Sequence, residues 1–279
     1  RSWLRLSLER MVSEASVTER TKEIERSLIK KFRKSIWRPF TKAIRDYQLI
    51  QDGDRIAVGV SGGKDSLLLL YVLSLYRKFE HKNFELRGIM LDMGFDEAFD
   101  ASPVMRWCEE LNIPFDVIQT DIAKVVFDLR KENNPCSLCA KMRRGALNDA
   151  AKRLGCNKVA LGHHFDDVVE TVLMSLLYEG RFSCFLPVTY LDRASVTVIR
   201  PMVYTPESYI RSLAKRLELP IVHNPCPVDG STKREEIKQL LRSLEHTNPG
   251  VRQRIFGAIQ RYPLRGWAPD KTVRRKKGE

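Results

Sequence analysis

A glycine-rich segment, SGGKDS at 61–66, has the residue types and the spacing of a phosphate-binding turn. It follows a short apolar run at 56–60, typical of a buried strand, and precedes a longer apolar run at 67–72 that indicates a helix. The two glycines permit positive φ and leave no Cβ in the way, so consecutive N–H groups can converge on one anion at the helix N-terminus. The lysine adds a cation, and the serine hydroxyls add donors. We expect nucleotide phosphates to contact Ser61, Gly62, Gly63, Lys64, Asp65 and Ser66.

The spacing of this turn differs from that of the two commonest nucleotide-binding motifs. It lacks the GxxxxGK[ST] pattern of the Walker P-loop and the GxGxxG pattern of dinucleotide-binding turns. The string SGGKDS instead resembles the PP-loop of the N-type ATP pyrophosphatases, which hold ATP by its β- and γ-phosphates and transfer AMP. An ordinary glycine-rich turn between a strand and a helix is the alternative interpretation.

Three cysteines form a second group that could do chemistry. Cys136 and Cys139 make a CxxC pair before a basic segment. A helix N-terminus beside thiolates stabilises their negative charge. The third cysteine, Cys226, lies between two prolines. Three cysteines can hold a [4Fe–4S] cluster and leave one iron open for exogenous sulfide. The alternatives are a redox dithiol that forms a persulfide with Cys226, and a zinc site completed by His223. Apolar neighbours indicate packing roles for Cys108, Cys156 and Cys184.

A histidine–acid segment, GHHFDDVVET at 162–171, follows a predicted strand and opens a helix. Asp167 and Glu170 are three residues apart and Asp166 and Glu170 four apart, so each pair shares a helix face. Paired carboxylates near a triphosphate are natural Mg²⁺ ligands, and helix capping by an aspartate is the structural alternative. The first glycine of the segment permits close backbone approach to a ribose or phosphate. We predict that the nucleotide site also includes Asp92, Gly162, His163 and Asp167.

Alternating strands and helices must position these groups. Apolar runs predict five strands, at 56–60, 86–91, 115–118, 158–161 and 196–199. Between and after them we predict helices at 67–72, 99–111, 121–130, 168–178 and 208–217. This order predicts an α/β fold with a five-stranded parallel sheet and helices on both faces. Ligands of such sheets bind beyond the carboxyl ends of the strands. Ser61, Asp92 and Gly162 each follow a strand, so we expect them to face one crevice.

Several motifs together resemble one family more specifically. SGGKDS, PCSLCAKMRRGAL, LGHHFDDVVETVL, IRPMVY and a late NPC, in this order and spacing, are similar to the tRNA 2-thiocytidine synthetase family of PP-loop enzymes, from about Phe32 to about Arg261. The resemblance implies an adenine nucleotide alpha hydrolase-like fold. It also implies Fe–S-, ATP- and Mg²⁺-dependent thiolation of cytidine 32 in the tRNA anticodon loop, usually by a homodimer.

Residue by residue, the resemblance places the phosphate-binding role on 61–66. It implies that the cluster thiolates are Cys136, Cys139 and Cys226. It also implies catalytic roles for these cysteines and for Lys64 and Asp65. The chain departs from the family after its third cysteine: relatives commonly show CNLCG there, whereas this sequence continues as PVDG. It also has a longer N-terminal helix. The alternatives are a PP-loop enzyme without a cluster, such as a persulfide thiolase or a lysidine-synthetase-like ligase, and a basic RNA-binding protein with an inactive site.

The charge of the chain favours a polyanionic partner. Its 279 residues include 48 Lys+Arg and 35 Asp+Glu, a net charge of +13. We expect tRNA and ATP as partners, with a sulfur donor such as a cysteine desulfurase. No apolar run approaches the roughly 18 residues of a membrane span, and neither a signal-peptide pattern nor a disulfide framework is recognisable. We therefore expect a cytoplasmic protein with no membrane partner.

Composition and periodicity predict four parts of the chain. These are a basic helical N-terminal extension at 1–48, the PP-loop ATP pyrophosphatase domain at 49–228, a helical segment at 229–265 and a basic disordered tail at 266–279. The extension has apolar residues spaced by fours on one helix face. Its basic residues are typical either of a solvated face or of an RNA-facing surface, and they comprise Lys30, Lys31, Arg33, Lys34 and Arg38.

Overall fold

Strands and helices alternate along the chain, for which a computed structural model describes residues 30–80, 82–95, 99–129, 135–222, 233–262 and 267. The strands are β1 Arg55–Val60, β2 Glu85–Asp92, β3 Phe115–Gln119, β4 Lys158–Ala160, β5 Val188–Leu191 and β6 Val196–Ile199. The α-helices are α1 Arg38–Asp46, α2 Lys64–Phe79, α3 Ser102–Glu110, α4 Pro135–Arg153, α5 Phe165–Glu179, α6 Glu207–Arg216, α7 Lys233–Thr247 and α8 Val251–Arg261. Two short π-helical segments occupy Arg33–Trp37 and Lys124–Leu129.

The strands form one mixed sheet in the order β3-β2-β1-β4-β6-β5. Five of them are parallel, which confirms the predicted α/β class, but the prediction of a five-stranded, all-parallel sheet is wrong. The additional strand that was not predicted is β5, which pairs antiparallel with β6 at the edge of the sheet. Only the residues at 192–195 connect β5 to β6. A connection this short can form a hairpin but cannot make the crossover that a parallel pair needs.

The order of the parallel strands reverses beside β1. From β1 the chain moves outward through β2 and β3, and it then returns to place β4 on the other side of β1. Such a reversal opens a crevice at the carboxyl ends of the two diverging strands, where ligands of open α/β sheets bind. Ser61 follows β1 and Gly162 lies two residues after β4, so the chain delivers both predicted site segments to this crevice.

The apolar periodicity of the sequence accounts for the core. In the first described segment Ile36 and Phe40 are fully buried and Phe32 is 8% exposed, so the predicted spacing by fours is confirmed for these residues. Pro39 lies in the first turn of α1, where a backbone N–H would have no intrahelical acceptor. The proline therefore costs this helix no hydrogen bond. Helix α2 is buried over most of its length, because it packs between the sheet and α6.

The C-terminal helices complete the same core. Helices α7 and α8 pack against α5, and both contribute buried apolar side chains to the main cluster. Trp267 belongs to that cluster and is fully buried. The rest of the predicted tail, and the chain before Lys30, lie outside the described residues, and the division at 48, 228 and 265 stays a prediction. Within the described ranges, no helix has the length and apolar character needed to cross a bilayer.

Candidate functional site

The predicted phosphate-binding turn connects β1 to α2. The Ser61 N–H donates to the Ser66 hydroxyl at 3.1 Å, and that hydroxyl lies 3.0 Å from the Gly63 carbonyl oxygen, to which it donates. No side-chain hydrogen bond caps the N-terminus of α2. The turn therefore stabilises its own shape while the first N–H groups of the helix stay available for an anion.

Gly62 is required at its position for two reasons. Its φ of +86° lies in the left-handed region, which favours glycine. A Cβ at this residue would also lie 2.5 Å from the Val222 carbonyl oxygen. The Val222 N–H donates to the Gly62 carbonyl oxygen at 3.0 Å, so the chain four residues before Cys226 is attached to the phosphate-binding turn.

Lys64 lies between two carboxylates. Its Nζ is 3.0 Å from Asp65 Oδ2 and 2.9 Å from Glu207 Oε1. Burial acts to lower the pKa of Lys64, but the two carboxylates outweigh it and raise that pKa. Burial likewise acts to raise the pKa of Glu207, and Lys64 outweighs it and lowers that pKa to about 2. Both groups are thus charged at neutral pH. Sequence reasoning missed Glu207, although an acid after Pro206 at a helix start was visible.

The second oxygen of Asp65 is the unusual atom of this site. Asp65 Oδ1 is buried and has no hydrogen-bond partner among the described residues. His164 Nε2 lies 3.8 Å from this oxygen, which is beyond hydrogen-bond distance. A buried carboxylate oxygen without a donor is energetically unfavourable unless a cation or a ligand satisfies it. This atom therefore suits a hard cation such as Mg²⁺.

Asp167 caps helix α5 together with His164. The His164 N–H donates to Asp167 Oδ2 at 2.9 Å, and the Asp167 N–H donates to His164 Nδ1 at 3.4 Å, which makes a capping box. The other Asp167 oxygen lies 3.1 Å from Arg234 of α7. The capping role that the sequence left open is therefore present, and one carboxylate serves both the helix N-terminus and a salt bridge.

The two remaining acids of this segment also have partners. Asp166 accepts the Glu207 N–H at 2.7 Å and pairs with Arg252 of α8 at 2.6 Å. Glu170 is 1% exposed and pairs with Arg234 at 3.2 Å. Burial raises the pKa of Glu170 to about 7. The C-terminal helices thus neutralise the acids beside the phosphate-binding turn, which sequence reasoning did not anticipate.

Gly162 and Asp92 take different places around the crevice. A Cβ at Gly162 would lie 3.0–3.1 Å from backbone atoms of Asp65 and Ser66, so this glycine permits close approach of the α2 N-terminus. Asp92 ends β2, where its Oδ1 accepts the Gly94 N–H at 3.0 Å. Its neighbour Leu91 lines the cavity described next. The nucleotide contacts predicted for both residues stay predictions.

A cavity of about 610 Å³ opens at the carboxyl ends of the strands. Ser61 of the phosphate-binding turn and His163 line it, as do Arg143 and Arg144 of α4. Its size is in the range of small-molecule sites, and most of its other lining residues are apolar. The cavity therefore joins three of the sequence motifs in one space.

The CxxC pair lies on the first turns of helix α4, which continues into this cavity wall. Cys136 is exposed and Cys139 is half-buried. Residues three apart share a helix face, so both thiols can serve one centre. Cys226 and His223 lie outside the described residues. Within the described ranges, no group of three or more His, Cys, Asp or Glu side chains forms a metal site.

The other three cysteines are shielded, as the packing interpretation predicts. Cys108 and Cys156 are buried and Cys184 is half-buried. Burial raises the pKa of all three thiols, and it raises those of Cys108 and Cys184 to about 12. Such thiols are protonated at neutral pH and are poor nucleophiles. Cys184 additionally lines the cavity, which its apolar neighbours in the sequence did not reveal.

His163 lies in a compact group of side chains at the cavity wall. Arg200 Nε donates to His163 Nδ1 at 3.3 Å, and the Phe185 ring centroid is 4.7 Å from that of the imidazole. Burial, followed by the charge of Arg200, lowers the pKa of His163 to about 4. The imidazole is therefore neutral at physiological pH. Arg200 was visible only as part of the IRPMVY motif, and Phe185 gave no sequence signal.

Comparison with known proteins identifies the family. A family profile described as the PP-loop domain matches residues 30–244. The tRNA-cytidine(32) 2-sulfurtransferase of Geotalea uraniireducens (strain Rf4) is 38% identical over 221 residues, which cover 78% of this chain and 87% of the relative. This chain belongs to the tRNA-cytidine(32) 2-sulfurtransferase family. The corresponding protein of Anaeromyxobacter sp. (strain Fw109-5) is also 38% identical, over 83% of this chain and 77% of the relative.

A solved structure extends this result to the fold. The U34-tRNA thiolase NcsA from Methanococcus maripaludis, determined with its [4Fe-4S] cluster, has a TM-score of 0.67 and 28% identity to this chain. The alignment covers 81% of this chain and 77% of that protein. The resemblance stated from the motifs is therefore confirmed, and the 2-sulfurtransferase family shares its architecture with a thiolase that acts on another tRNA base.

Proposed function

We propose that this chain is an ATP-dependent tRNA sulfurtransferase that adenylylates and 2-thiolates cytidine 32 of the anticodon loop. The observation that carries this proposal is the shared cavity. Ser61 of the phosphate-binding turn and Arg143 of α4 line it from opposite elements, and α4 begins with the CxxC pair. An ATP-activated base and a sulfur-bearing centre must meet in one space, and the cavity between the turn and α4 supports this proposal as the place where they meet.

The residues of the turn bind and orient ATP. The free N–H groups at the start of α2 suit the β- and γ-phosphates, and Lys64 is a cation already in place beside them. Cytosine O2 attacks the α-phosphorus, the bond to pyrophosphate breaks, and pyrophosphate leaves with its electron pair. C2 then accepts sulfide and AMP leaves. Lys64 stabilises the negative charge that develops on the phosphates.

Mg²⁺ fits the carboxylates beside this turn. The buried, unpartnered Asp65 Oδ1 is the atom most suited to coordinate it. Asp167 is close by, because His164 Nε2 lies 3.8 Å from Asp65 Oδ1 and 3.4 Å from Asp167 Oδ2. When bound, Mg²⁺ would neutralise phosphate charge and polarise the α-phosphate. The residues of this chain that fix the site are His164, which positions Asp167, and Glu207, which positions Lys64.

A [4Fe–4S] cluster fits the thiol donors. Cys136, Cys139 and Cys226 would hold it, and it would supply an iron that carries sulfide delivered by a donor such as a cysteine desulfurase. Cys226 follows Val222 by four residues, and four residues of chain reach at most about 14 Å. Because the Val222 N–H is bonded to Gly62, the covalent chain limits how far this cysteine can be from the phosphate-binding turn.

The exposed basic residues suit a tRNA backbone. Arg143 and Arg144 lie at the cavity, and five further exposed cations precede or begin α1: Lys30, Lys31, Arg33, Lys34 and Arg38. Contacts of these cations to phosphates release counterions and make binding strongly salt-dependent. The target base must leave the stack of the anticodon loop to enter the cavity. We further propose a homodimer that acts in the cytoplasm.

The deciding experiment is thiolation by anaerobically reconstituted protein supplied with ATP, Mg²⁺, sulfide and tRNA. We expect 2-thiocytidine in the nucleoside digest by mass spectrometry, with AMP and pyrophosphate formed in parallel. Formation of AMP without any thionucleoside would contradict the proposal and favour a ligase. Thiolation by protein without iron would favour a persulfide mechanism, and iron content measured on the same sample separates these two results.

A further inference from the structure

We propose that His163, held in one tautomer by Arg200, selects cytosine over uracil by donating its Nε2–H to N3 of the target base. This inference rests on the proposed function, because it assigns the residue that recognises the base in the same cavity.

The hydrogen bond from Arg200 decides which imidazole nitrogen carries the proton. A guanidinium has only donors, so His163 Nδ1, at 3.3 Å from Arg200 Nε, must offer its lone pair. A neutral imidazole with an accepting Nδ1 has its hydrogen on Nε2. His163 can therefore act only as a donor through its second nitrogen.

Arg200 cannot easily turn away from this contact. Its side chain donates to the Leu186 carbonyl oxygen at 2.6 Å, and its guanidinium carbon lies 4.9 Å from the Phe185 ring centroid. Arg200 is 9% exposed. The Phe185 carbonyl oxygen accepts the indole N–H of Trp267 at 2.9 Å, which fixes the loop behind the arginine. The tautomer of His163 is thus set by a buried and immobilised group.

The second nitrogen of His163, the donor, is available to a ligand in the cavity. Its Nδ1 faces Arg200 and one face of its ring is against Phe185, with an interplanar angle of 36°. Among the described residues, Nε2 has no hydrogen-bond partner. His163 lines the cavity together with Ser61, so a base bound there meets this N–H close to the phosphate-binding turn.

Cytosine and uracil differ at the atom that such a donor would contact. N3 of cytosine is an acceptor, whereas N3 of uracil carries a hydrogen. Cytosine would complete the hydrogen bond, but uracil would bring two donors together and leave both without partners in a partly buried site. We expect a loss of about tenfold to a hundredfold in kcat/KM for uridine relative to cytidine from this contact.

A cycle of enzyme and substrate changes tests the contact. The enzymes are wild type and His163→Phe, whose flat ring has no donor. Each is assayed on anticodon stem-loops that carry cytidine or 3-deazacytidine at the target position. The analogue has C–H in place of N3. The intrinsic reactivity of the analogue affects both enzymes equally. We expect wild type to lose roughly ten times more kcat/KM on the analogue than the variant loses. Equal losses in the two enzymes would overturn the proposal.

The tautomer itself is measurable without turnover. In protein labelled with ¹⁵N-histidine, the His163 resonances, assigned by their absence from His163→Phe, should show a protonated Nε2 and an unprotonated Nδ1. A proton on Nδ1 would overturn the proposal whatever the activity. The proposed function fails separately, if wild type makes no thiolated cytidine from the unmodified stem-loop or from tRNA.

Discussion

The Val222 N–H donates to the Gly62 carbonyl oxygen at 3.0 Å, so two segments 160 residues apart meet at the phosphate-binding turn. Gly62 belongs to the turn that suits ATP, and Val222 lies four residues before Cys226, the third predicted cluster cysteine. A change in the shape of the turn therefore disturbs Val222 as well. This relationship makes Gly62 the most informative glycine to replace.

Gly62→Ala should lower the free energy of unfolding by about 1–3 kcal/mol, because alanine is strained at φ +86° and its Cβ would lie 2.5 Å from the Val222 carbonyl oxygen. Gly63→Ala is the matched control, since Gly63 has φ −78° and a Cβ there would meet only Ser61 Oγ, at 3.5 Å. Denaturant unfolding of both variants measures the difference. Equal destabilisation would contradict the assigned role of Val222.

Lys64→Met should reduce ATP-dependent pyrophosphate release by about a hundredfold or more while the fold is retained, because the cation beside the phosphates is lost. Steady-state assays of pyrophosphate release measure this. Lys215→Met on the exposed face of α6 removes the same charge elsewhere and should change the rate little. A Lys64→Met enzyme with wild-type turnover would remove this lysine from the mechanism.

Replacing either thiol of the CxxC pair should remove bound iron. We expect Cys136→Ser and Cys139→Ser to retain roughly a tenth of the wild-type iron or less after anaerobic reconstitution, and to lose thiolation. Cys108→Ala is the comparison. Because Cys108 is fully buried, this substitution should lower the free energy of unfolding by about 1 kcal/mol, and it should leave the iron content unchanged. Iron analysis and visible absorption give the readout, and full iron occupancy in the serine variants would exclude the assigned ligands.

Glu170 should make stability depend on pH near neutrality. Its folded pKa, about 7, lies above the ordinary value of 4.5 because of burial. The folded state then binds the proton more tightly, so the contribution of this group is fully present below about pH 4.5 and is lost as the pH rises to about 7. Glu170→Gln cannot titrate. Its free energy of unfolding relative to wild type should therefore increase by about 2 kcal/mol between about pH 5 and pH 8.

The comparison for this prediction is Glu179→Gln, at the exposed end of the same helix. Glu179→Gln makes the same chemical change at an exposed carboxyl group, so it shows how much of the effect comes from the substitution itself. Chemical denaturation across the range provides the measurement. Parallel pH profiles for wild type and Glu170→Gln would mean that Arg234 keeps the buried carboxylate ionised throughout.

Local sequence signals predicted the parallel strands and the phosphate-binding turn because each depends on residues adjacent in the chain. The run at 56–60 is buried on both faces of a central strand, and the glycines impose the turn that follows. The edge strand β5 escaped prediction because it is short and contains exposed residues such as Tyr190, so it gives no continuous apolar run. An edge strand needs only one neighbour, so its identity depends on tertiary pairing with β6.

The motifs of the candidate site could be predicted from the sequence, but the ion pairs and hydrogen bonds between its side chains could not. Lys64 and the acids at 166–170 were recognisable by type and spacing. Their partners Glu207, Arg234 and Arg252 come from helices that follow much later, and nothing in a single sequence tells which arginine of several faces which carboxylate. The same holds for the tautomer of His163, which depends on one nitrogen of Arg200.

Trp267 has a consequence for the order of events during synthesis. Its ring is fully buried against Phe185, Phe256 and Tyr47, and its indole N–H satisfies a carbonyl group of the loop behind Arg200. The ribosome must deliver residue 267 before that loop can acquire its final support. A nascent chain that has already formed the phosphate-binding turn therefore still lacks the contact that supports the Phe185 side of the cavity.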